Sequence, residues 1–305
     1  MLYDVIIVGG GPAGITAAIY AKRAGRSVAI LEKFVPGGQL NLIGEIENYT
    51  GFKKIEGSNL AYEMHAHAKS LGVEFIMDEA KEYELDGEEK IIKGRNGEYQ
   101  ARAVVLALGC HTRELGITGE EEFKGRGVSY CALCDGNFFK GKTVAVVGSG
   151  DSAFADALYL APICKQVYVL TKENLKLHNY AENELDKHEN ITLLRGAISS
   201  KIEGTESVEK LFFIQNEKEQ NIVVDGVFVA IGRKPDTENL KGKIELNEQG
   251  YIKANEKMHT SADGVFVCGD VREGNIKQIA TAVGDGSIAG TEASKYALRQ
   301  IYMKK

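Results

Sequence analysis

Two cysteines three residues apart, Cys131 and Cys134 in CALCDG, are the side chains of this sequence best suited to chemistry. At that spacing a pair can close a small, reducible disulfide, and its thiolates are stabilised when a positive dipole or a conjugated ring lies nearby. Zinc is the rival use of such a pair, but a closed site needs four ligands. Cys110, Cys164 and Cys268 stand alone, and the six histidines show no ligand spacing toward the pair, so no metal is expected. Asp135 follows the second cysteine directly. A departing thiolate needs a proton, which a carboxyl there can donate or relay; a loop carboxylate without a chemical role is the other reading.

The elements that must position this pair repeat within the chain. Val5-Ile6-Ile7-Val8 is an apolar strand followed by the turn Gly9, Gly10, Gly11, Pro12, Ala13, Gly14, an Ala-rich helix over residues 15–24 and a second strand over residues 28–31. Much later a strand over residues 143–147 is followed by Gly148, Ser149, Gly150, Asp151, Ser152 and Ala153, a helix to about residue 160 and a strand over residues 167–170. Each run has the length and order of one βαβ unit, which predicts an α/β protein with two dinucleotide folds. In such a turn the first glycine makes the bend, the second lets backbone approach a pyrophosphate, and the third packs helix on strand. The helix N-terminus adds partial positive charge. Glu32 closes the second strand of the first unit, where a carboxylate can take two ribose hydroxyls.

Three further segments suit a larger cofactor. Gly38 and Gln39 lie in the turn PGGQL, which can bring backbone amides near a flat ring, and Asn48 follows in IENY. The apolar strand GVFVCGD ends in Asp270, placed to hold a polyhydroxyl chain, although a turn-forming acid is the bland alternative. After it, an Ala- and Gly-rich helix begins near Gln278 and Ile279, as expected of a helix passing close to a bound cofactor.

Composition narrows the classes. With 305 residues, 44% of them hydrophobic, the chain is long enough for two cores. A net charge of −6 and the lack of any dense Lys/Arg block argue against nucleic acid. No apolar run reaches the ~20 residues of a membrane span. The strand-like start YDVIIVGGG leaves no room for a signal segment, so the expectation is a cytoplasmic protein. His65 and His67 fall on a helix two residues apart and face different ways. Cys110 and Cys268 read as packed thiols, and His111 as a surface imidazole.

Taken together, GGGPAG, PGGQL, IENYTGF, CALCDG, VVGSGDSA, VFVAIGRKPDT and VFVCGDVREGNIKQIATAVGDG stand in the order of the low-molecular-weight thioredoxin reductases, which the chain resembles over essentially its whole length. The resemblance implies two Rossmann-like domains of the three-layer ββα type, the second inserted into the first. Residues 1–112 and 243–305 would bind FAD, and residues 113–242 would form an NAD(P)-binding-like domain carrying the cysteines. It also implies a homodimer whose partner is thioredoxin or a thioredoxin-like protein. Gly9, Gly11, Pro12, Ala13, Gly14, Glu32, Gly38, Gln39, Asn48, Asp270, Gln278 and Ile279 would contact FAD. If NAD(P) binds, Gly148, Gly150, Asp151, Ser152, Ala153, Glu173, Gly232 and Arg233 would contact it. Within the redox motif the resemblance makes Cys134 the flavin-facing sulfur, Cys131 the attacking one and Asp135 the proton donor.

The departure is VYVLTKEN. Members that use NADPH carry a His-Arg-Arg segment and a further arginine where this chain has Thr171, Lys172, Glu173 and Leu177. A 2'-phosphate rewards bidentate arginines, and Glu173 would repel it while accepting from a free 2'-hydroxyl. The expected donor is therefore NADH ahead of NADPH. Relatives that have lost nucleotide recognition take electrons from ferredoxin, and a missing arginine set marks them too. The intact turn at Gly148, Gly150 and Ala153 speaks for a nucleotide, although a βαβ unit needs that close approach with or without a ligand. A flavin-bearing redox sensor, whose cysteines cycle without an efficient donor, is the alternative from another class. Pro162, near the end of its helix, has no functional account.

Overall fold

In a computed structural model of the chain, residues 1–172, 184–185, 187–274 and 276–303 are described. The chain divides into two compact units, one formed by Met1–His111 with Lys234–Lys305 and the other by Thr112–Arg233.

In the first unit Leu2–Val8 lies between Val28–Glu32 and Glu98–Leu106, all parallel, and Glu74–Met77 extends the sheet beyond Val28–Glu32. The long strand Glu98–Leu106 serves two partners. Its first half pairs antiparallel with Lys90–Gly94, which pairs in turn with Ala80–Glu84, while its second half pairs parallel with Val265–Val267. The sheet is buried on both faces, which is why its strands read as unbroken apolar runs rather than alternating ones. Val5 and Ile7 point into a core with the helices, whereas Ile6 and Val8 point into a second core with Tyr83, Ile92, Leu240 and Ile252.

The helix Pro12–Arg23 opens with proline at its first position, where the missing N–H costs nothing. The 25-residue helix Ile279–Met303 crosses it closely. A Cβ on Gly286 would lie 2.3 Å from the Ala13 carbonyl oxygen, and one on Gly290 2.2 Å from that of Ala17. Small residues at these crossing points allow the two backbones to touch.

The second unit repeats the layering. Five parallel strands run in the order Val128–Ser129, Gly226–Val229, Thr143–Val147, Gln166–Thr171, Ile191–Arg195. The helix Asp151–Leu160 covers one face through Phe154, Ala157 and Leu160. The antiparallel strands Ile198–Gly204, Val208–Gln215 and Lys218–Val223 contribute Val208, Leu211 and Phe213 to the core with Ala145 and Val147. Both units are thus helix, parallel sheet and antiparallel layer, the α/β class that the two glycine turns predict. Among the described residues no helix is long and apolar enough to cross a membrane.

Candidate active site

The cysteines sit at the head of the second unit. Strand Val128–Ser129 pairs with Gly226–Val229, and three residues after Ser129 the short helix Ala132–Asp135 begins, followed by the 3₁₀ turn Gly136–Phe139. Packing fixes this segment. Ala132 is buried with Phe154 and Leu160, and a Cβ on Gly136 would come within 3.0 Å of Leu160 Cδ2. Phe139 meets Phe228 edge-on at 5.2 Å and lies over Gly226, where a Cβ would sit 2.3 Å from its ring.

Cys131 and Cys134 are joined in a disulfide with Cα atoms 5.3 Å apart. The Cys134 amide donates to Cys131 Sγ at 3.2 Å. An N–H aimed at that sulfur favours its thiolate once the bond is reduced. The Asp135 carboxylate accepts the Ser129 hydroxyl at Oδ2, 2.6 Å away, and the same hydroxyl oxygen accepts the Cys131 amide at 3.1 Å. Burial pushes the Asp135 carboxyl above its ordinary range, and the Ser129 hydrogen bond opposes that rise. Such a group keeps a proton to higher pH than an exposed aspartate does. Sequence reasoning misses Ser129; the signal for it is a hydroxyl two residues before the first cysteine, at the end of the two-residue strand Val128–Ser129.

In the first unit the dispersed residues converge. Gly9 has φ +105°, and a Cβ there would collide with the Ala107 carbonyl oxygen at 2.3 Å. A Cβ on Gly14 would collide with the Gly9 oxygen at 1.9 Å, so both glycines are demanded by packing. At Gly11 a Cβ would meet nothing within 4 Å. Glycine there leaves the backbone open to close approach by a phosphate. Glu32 accepts the Gly10 amide at 2.6 Å and the Phe34 amide at 2.9 Å. The PGGQL turn folds over this one, with Gly38, if given a Cβ, 3.2 Å from the Gly11 Cα. Gln39 Nε2 donates to the Cys110 carbonyl oxygen at 2.6 Å, and the Cys110 thiol lies 4.0 Å from Asp270 Oδ2. Asn48 Nδ2 donates to Gln278 Oε1 at 3.1 Å, and Ile279 packs on the small core of Leu40, Ile46, Leu60 and Ala61. A Cβ on Gly269 would lie 2.7 Å from that of Ala13.

One ion pair in this region escapes sequence reasoning. Asp285, nearly buried in the C-terminal helix, accepts Arg272 Nε at 2.9 Å and Nη2 at 3.3 Å, and also the Gly269 amide at 3.2 Å. It pins the turn that carries Asp270. Its only trace in the sequence is a lone acid among small residues in AVGDGS.

The second glycine turn keeps the first one's geometry. Gly148 donates to the Leu170 carbonyl at 3.0 Å as Gly9 donates to that of Leu31 at 2.8 Å. A Cβ on Gly148 would meet the Ala230 oxygen at 2.3 Å and the Ala153 methyl at 2.8 Å, whereas Gly150 is open. Asp151 and Ser152 are exposed at the helix start, and Gly232 has φ +97° ahead of Arg233. Burial pushes the nearby Asp156 carboxyl up to about 6 against the attraction of Arg233. Strand pairing matches Leu31 to Val8 and Leu170 to Val147, so the residue in the register of Glu32 is Thr171, which is wholly buried. Ser149 Oγ accepts the amide of the next residue, Lys172, at 3.1 Å. Glu173 lies outside the described residues. Among the described residues no cluster of His, Cys, Asp and Glu is arranged to hold a metal.

The sequence profile of the pyridine nucleotide-disulphide oxidoreductases matches residues 3–286. The chain belongs to that family. Within it, the chain is 40% identical over 300 residues to the thioredoxin reductase of Bacillus subtilis, covering 97% of this chain and 95% of that one. The thioredoxin reductase of Streptococcus pyogenes superposes with a TM-score of 0.93 at 36% identity, covering 98% and 99% of the two chains. A ferredoxin-flavin thioredoxin reductase from Clostridium acetobutylicum superposes with a TM-score of 0.54 at 32% identity, covering 99% of each chain. This member of the family thus carries the Cys131–Cys134 disulfide in one unit and the Gly9 to Gly14 turn in the other.

Proposed function

We propose that the protein is an FAD-dependent thioredoxin-disulfide reductase. The observation that carries this reading is the Cys131–Cys134 disulfide tied through Ser129 to the half-buried acid Asp135. In this reading the unit of Met1–His111 and Lys234–Lys305 holds FAD. Gly9, Gly11, Pro12, Ala13 and Gly14 receive the pyrophosphate, Glu32 a ribose, and Gly38, Gln39, Asn48, Asp270, Gln278 and Ile279 the remainder. The open Gly11 and the convergence of Gln39 and Asp270 on Cys110 suit such a ligand. When bound, FAD supplies the two-electron carrier between the donor and the disulfide.

The protein's own residues manage the exchange. Cys131, favoured as a thiolate by the Cys134 amide, attacks the partner disulfide; Asp135 supplies the proton that the departing sulfur takes; Cys134 then closes on Cys131 and frees the partner as a dithiol. The partner is thioredoxin or a thioredoxin-like protein, and the enzyme acts as a cytoplasmic homodimer.

For the donor we infer NADH ahead of NADPH. Gly148, Gly150, Asp151, Ser152 and Ala153 keep a nucleotide turn, and Gly232 and Arg233 border it, but the arginines that reward a 2'-phosphate are missing. One observation favours a second reading, reduced ferredoxin: the register of Glu32 holds a buried threonine, and the Ser149 hydroxyl is already engaged with the strand end.

An anaerobic titration tests both. Flavin bleaching is followed with NADH, NADPH and reduced ferredoxin in turn, and thiols are counted after thioredoxin is added. Bleaching by NADH supports the first reading, and bleaching by ferredoxin alone the second. Preference for NADPH would overturn the donor order. Failure of every donor to produce thioredoxin thiols would overturn the function and leave a redox sensor. Cys134→Ser should keep the flavin and lose turnover.

A further inference from the structure

We propose that Ser129 is a positioning residue of the thiol–disulfide exchange, holding the Asp135 carboxyl against the Cys131 amide and fixing where the proton is delivered. The inference rests on the reading of Asp135 as proton donor. Ser129 is the last residue of a strand registered to Phe228 in the sheet and is 6% exposed, so its hydroxyl is anchored to the sheet rather than to the short helix. A hydroxyl has one proton to give. Asp135 Oδ2 at 2.6 Å is a better acceptor than the Cys131 carbonyl at 3.4 Å, and the oxygen's lone pair takes the Cys131 amide at 3.1 Å. The result is a chain from the backbone of the attacking cysteine to the acid.

Other ionisable groups lie on the elements that flank this segment. Tyr130 on the same segment is engaged with Glu120 through its hydroxyl. Asp151, Asp156 and Tyr159 lie on the helix packed against the motif, Lys140 and Lys142 follow the 3₁₀ turn, and Asp225 precedes the strand Gly226–Val229. Burial and the Ser129 hydroxyl are what act on the Asp135 carboxyl.

In the exchange a sulfur–sulfur bond forms between Cys131 and one partner sulfur as the partner disulfide breaks. The displaced partner sulfur takes the Asp135 proton, and the carboxylate left behind is met by the Ser129 hydroxyl. Cys134 then attacks Cys131, releasing the second partner sulfur, which takes the proton Cys134 gives up. Two electrons leave the enzyme dithiol and two thiols appear on the partner.

The test starts from holoenzyme reduced with dithionite, so the natural donor does not enter, mixed with oxidised Bacillus subtilis thioredoxin across pH. Ser129→Ala should slow the exchange about tenfold at neutral pH. The alkaline limb should move up by about one pH unit, because a carboxylate that loses a hydrogen bond holds its proton more tightly. The pH at which the Asp135 carboxyl band vanishes from the infrared spectrum should rise with it, the band being identified by its loss in Asp135→Asn. Ser129→Thr, which keeps the hydroxyl, should keep the limb. If Ser129→Ala does not fold, Ser129→Thr and Ser129→Val, differing in the hydroxyl alone, make the same comparison. A wild-type rate and limb in Ser129→Ala would overturn the proposal. So would a uniform slowing with limb and band unmoved, the mark of a merely structural residue. Wild-type exchange in Asp135→Asn sinks the proton-donor reading itself; a slow Asp135→Asn beside an unaffected Ser129→Ala sinks only the role of Ser129.

Discussion

The Gly10 amide donates to Glu32 Oε2 at 2.6 Å, so the acid at the end of the second strand holds the glycine turn as well as facing the ligand it is proposed to bind. Its other oxygen takes the Phe34 amide at 2.9 Å. Each oxygen keeps a lone pair, so two backbone bonds and a ribose contact are compatible.

Glu32→Ala should therefore act twice. It leaves the Gly10 amide without its acceptor, which costs about 1–3 kcal/mol, and it removes the ribose contact. The expected outcome is a melting temperature a few degrees lower and flavin affinity reduced at least about tenfold, with Glu32→Gln intermediate because an amide oxygen can still accept. Flavin retained through ultrafiltration, alongside thermal unfolding of the apoprotein, measures both. Unchanged retention would remove Glu32 from the cofactor site.

The Arg272–Asp285 pair makes a second prediction. Arg272→Ala leaves a nearly buried carboxylate with the Gly269 amide but without its guanidinium, and the expected loss is about 3 kcal/mol in denaturant unfolding. Because the pair pins the turn bearing Asp270, flavin should also dissociate faster. Adding Asp285→Asn to Arg272→Ala should recover part of the stability, since the stranded charge goes with it. A double variant less stable than Arg272→Ala would contradict this account.

What the sequence makes legible follows from how far apart the cooperating residues are. Cys131 and Cys134 are close enough that their spacing points to a reducible disulfide, whereas spacing alone leaves Asp135 open between a proton donor and a loop carboxylate; Gly9 to Gly14 read as a turn because strand, glycines and helix adjoin. Asp285 and Arg272 lie 13 residues apart across a turn and a helix start, and nothing local says that they meet. Ser129 is near the cysteines, yet its partner Asp135 is reached only because the chain turns into a short helix between them. The match of Thr171 to Glu32 is hidden for another reason. It depends on strand register, and offsets counted along VYVLTKEN draw attention to Glu173 two residues on.

Asp156 gives a pH-dependent prediction. Burial raises its carboxyl to about 6, with Arg233 pulling the other way. A carboxyl whose folded value exceeds its unfolded value of about 4 binds its proton more tightly on folding. Its stabilising contribution is full below about pH 4 and is lost as pH rises through 6. Asp156→Asn, which never ionises, should match the parent near pH 4 and exceed it by about 2–3 kcal/mol at pH 8. Urea unfolding at the two pH values decides it; an equal difference at both would mean that ionisation of Asp156 is not what burial penalises.

The two glycine turns can be made to test donor selection directly. In the first, a bare glycine faces the strand-end acid: a Cβ on Gly10 would come within 3.1 Å of Glu32 Oε2. In the second, the same place holds Ser149, and the register of the acid holds Thr171. Thr171→Glu alone should be crowded by the Ser149 side chain, so the acid and the bare backbone must be installed together. The double variant Ser149→Gly/Thr171→Glu should bleach the flavin with NADH about tenfold faster than the parent and with NADPH no faster, because a carboxylate at this place accepts from a free 2'-hydroxyl and repels a 2'-phosphate. Stopped-flow reduction under both nucleotides measures it. A gain with NADPH equal to that with NADH would mean that this strand end does not read the 2'-position at all.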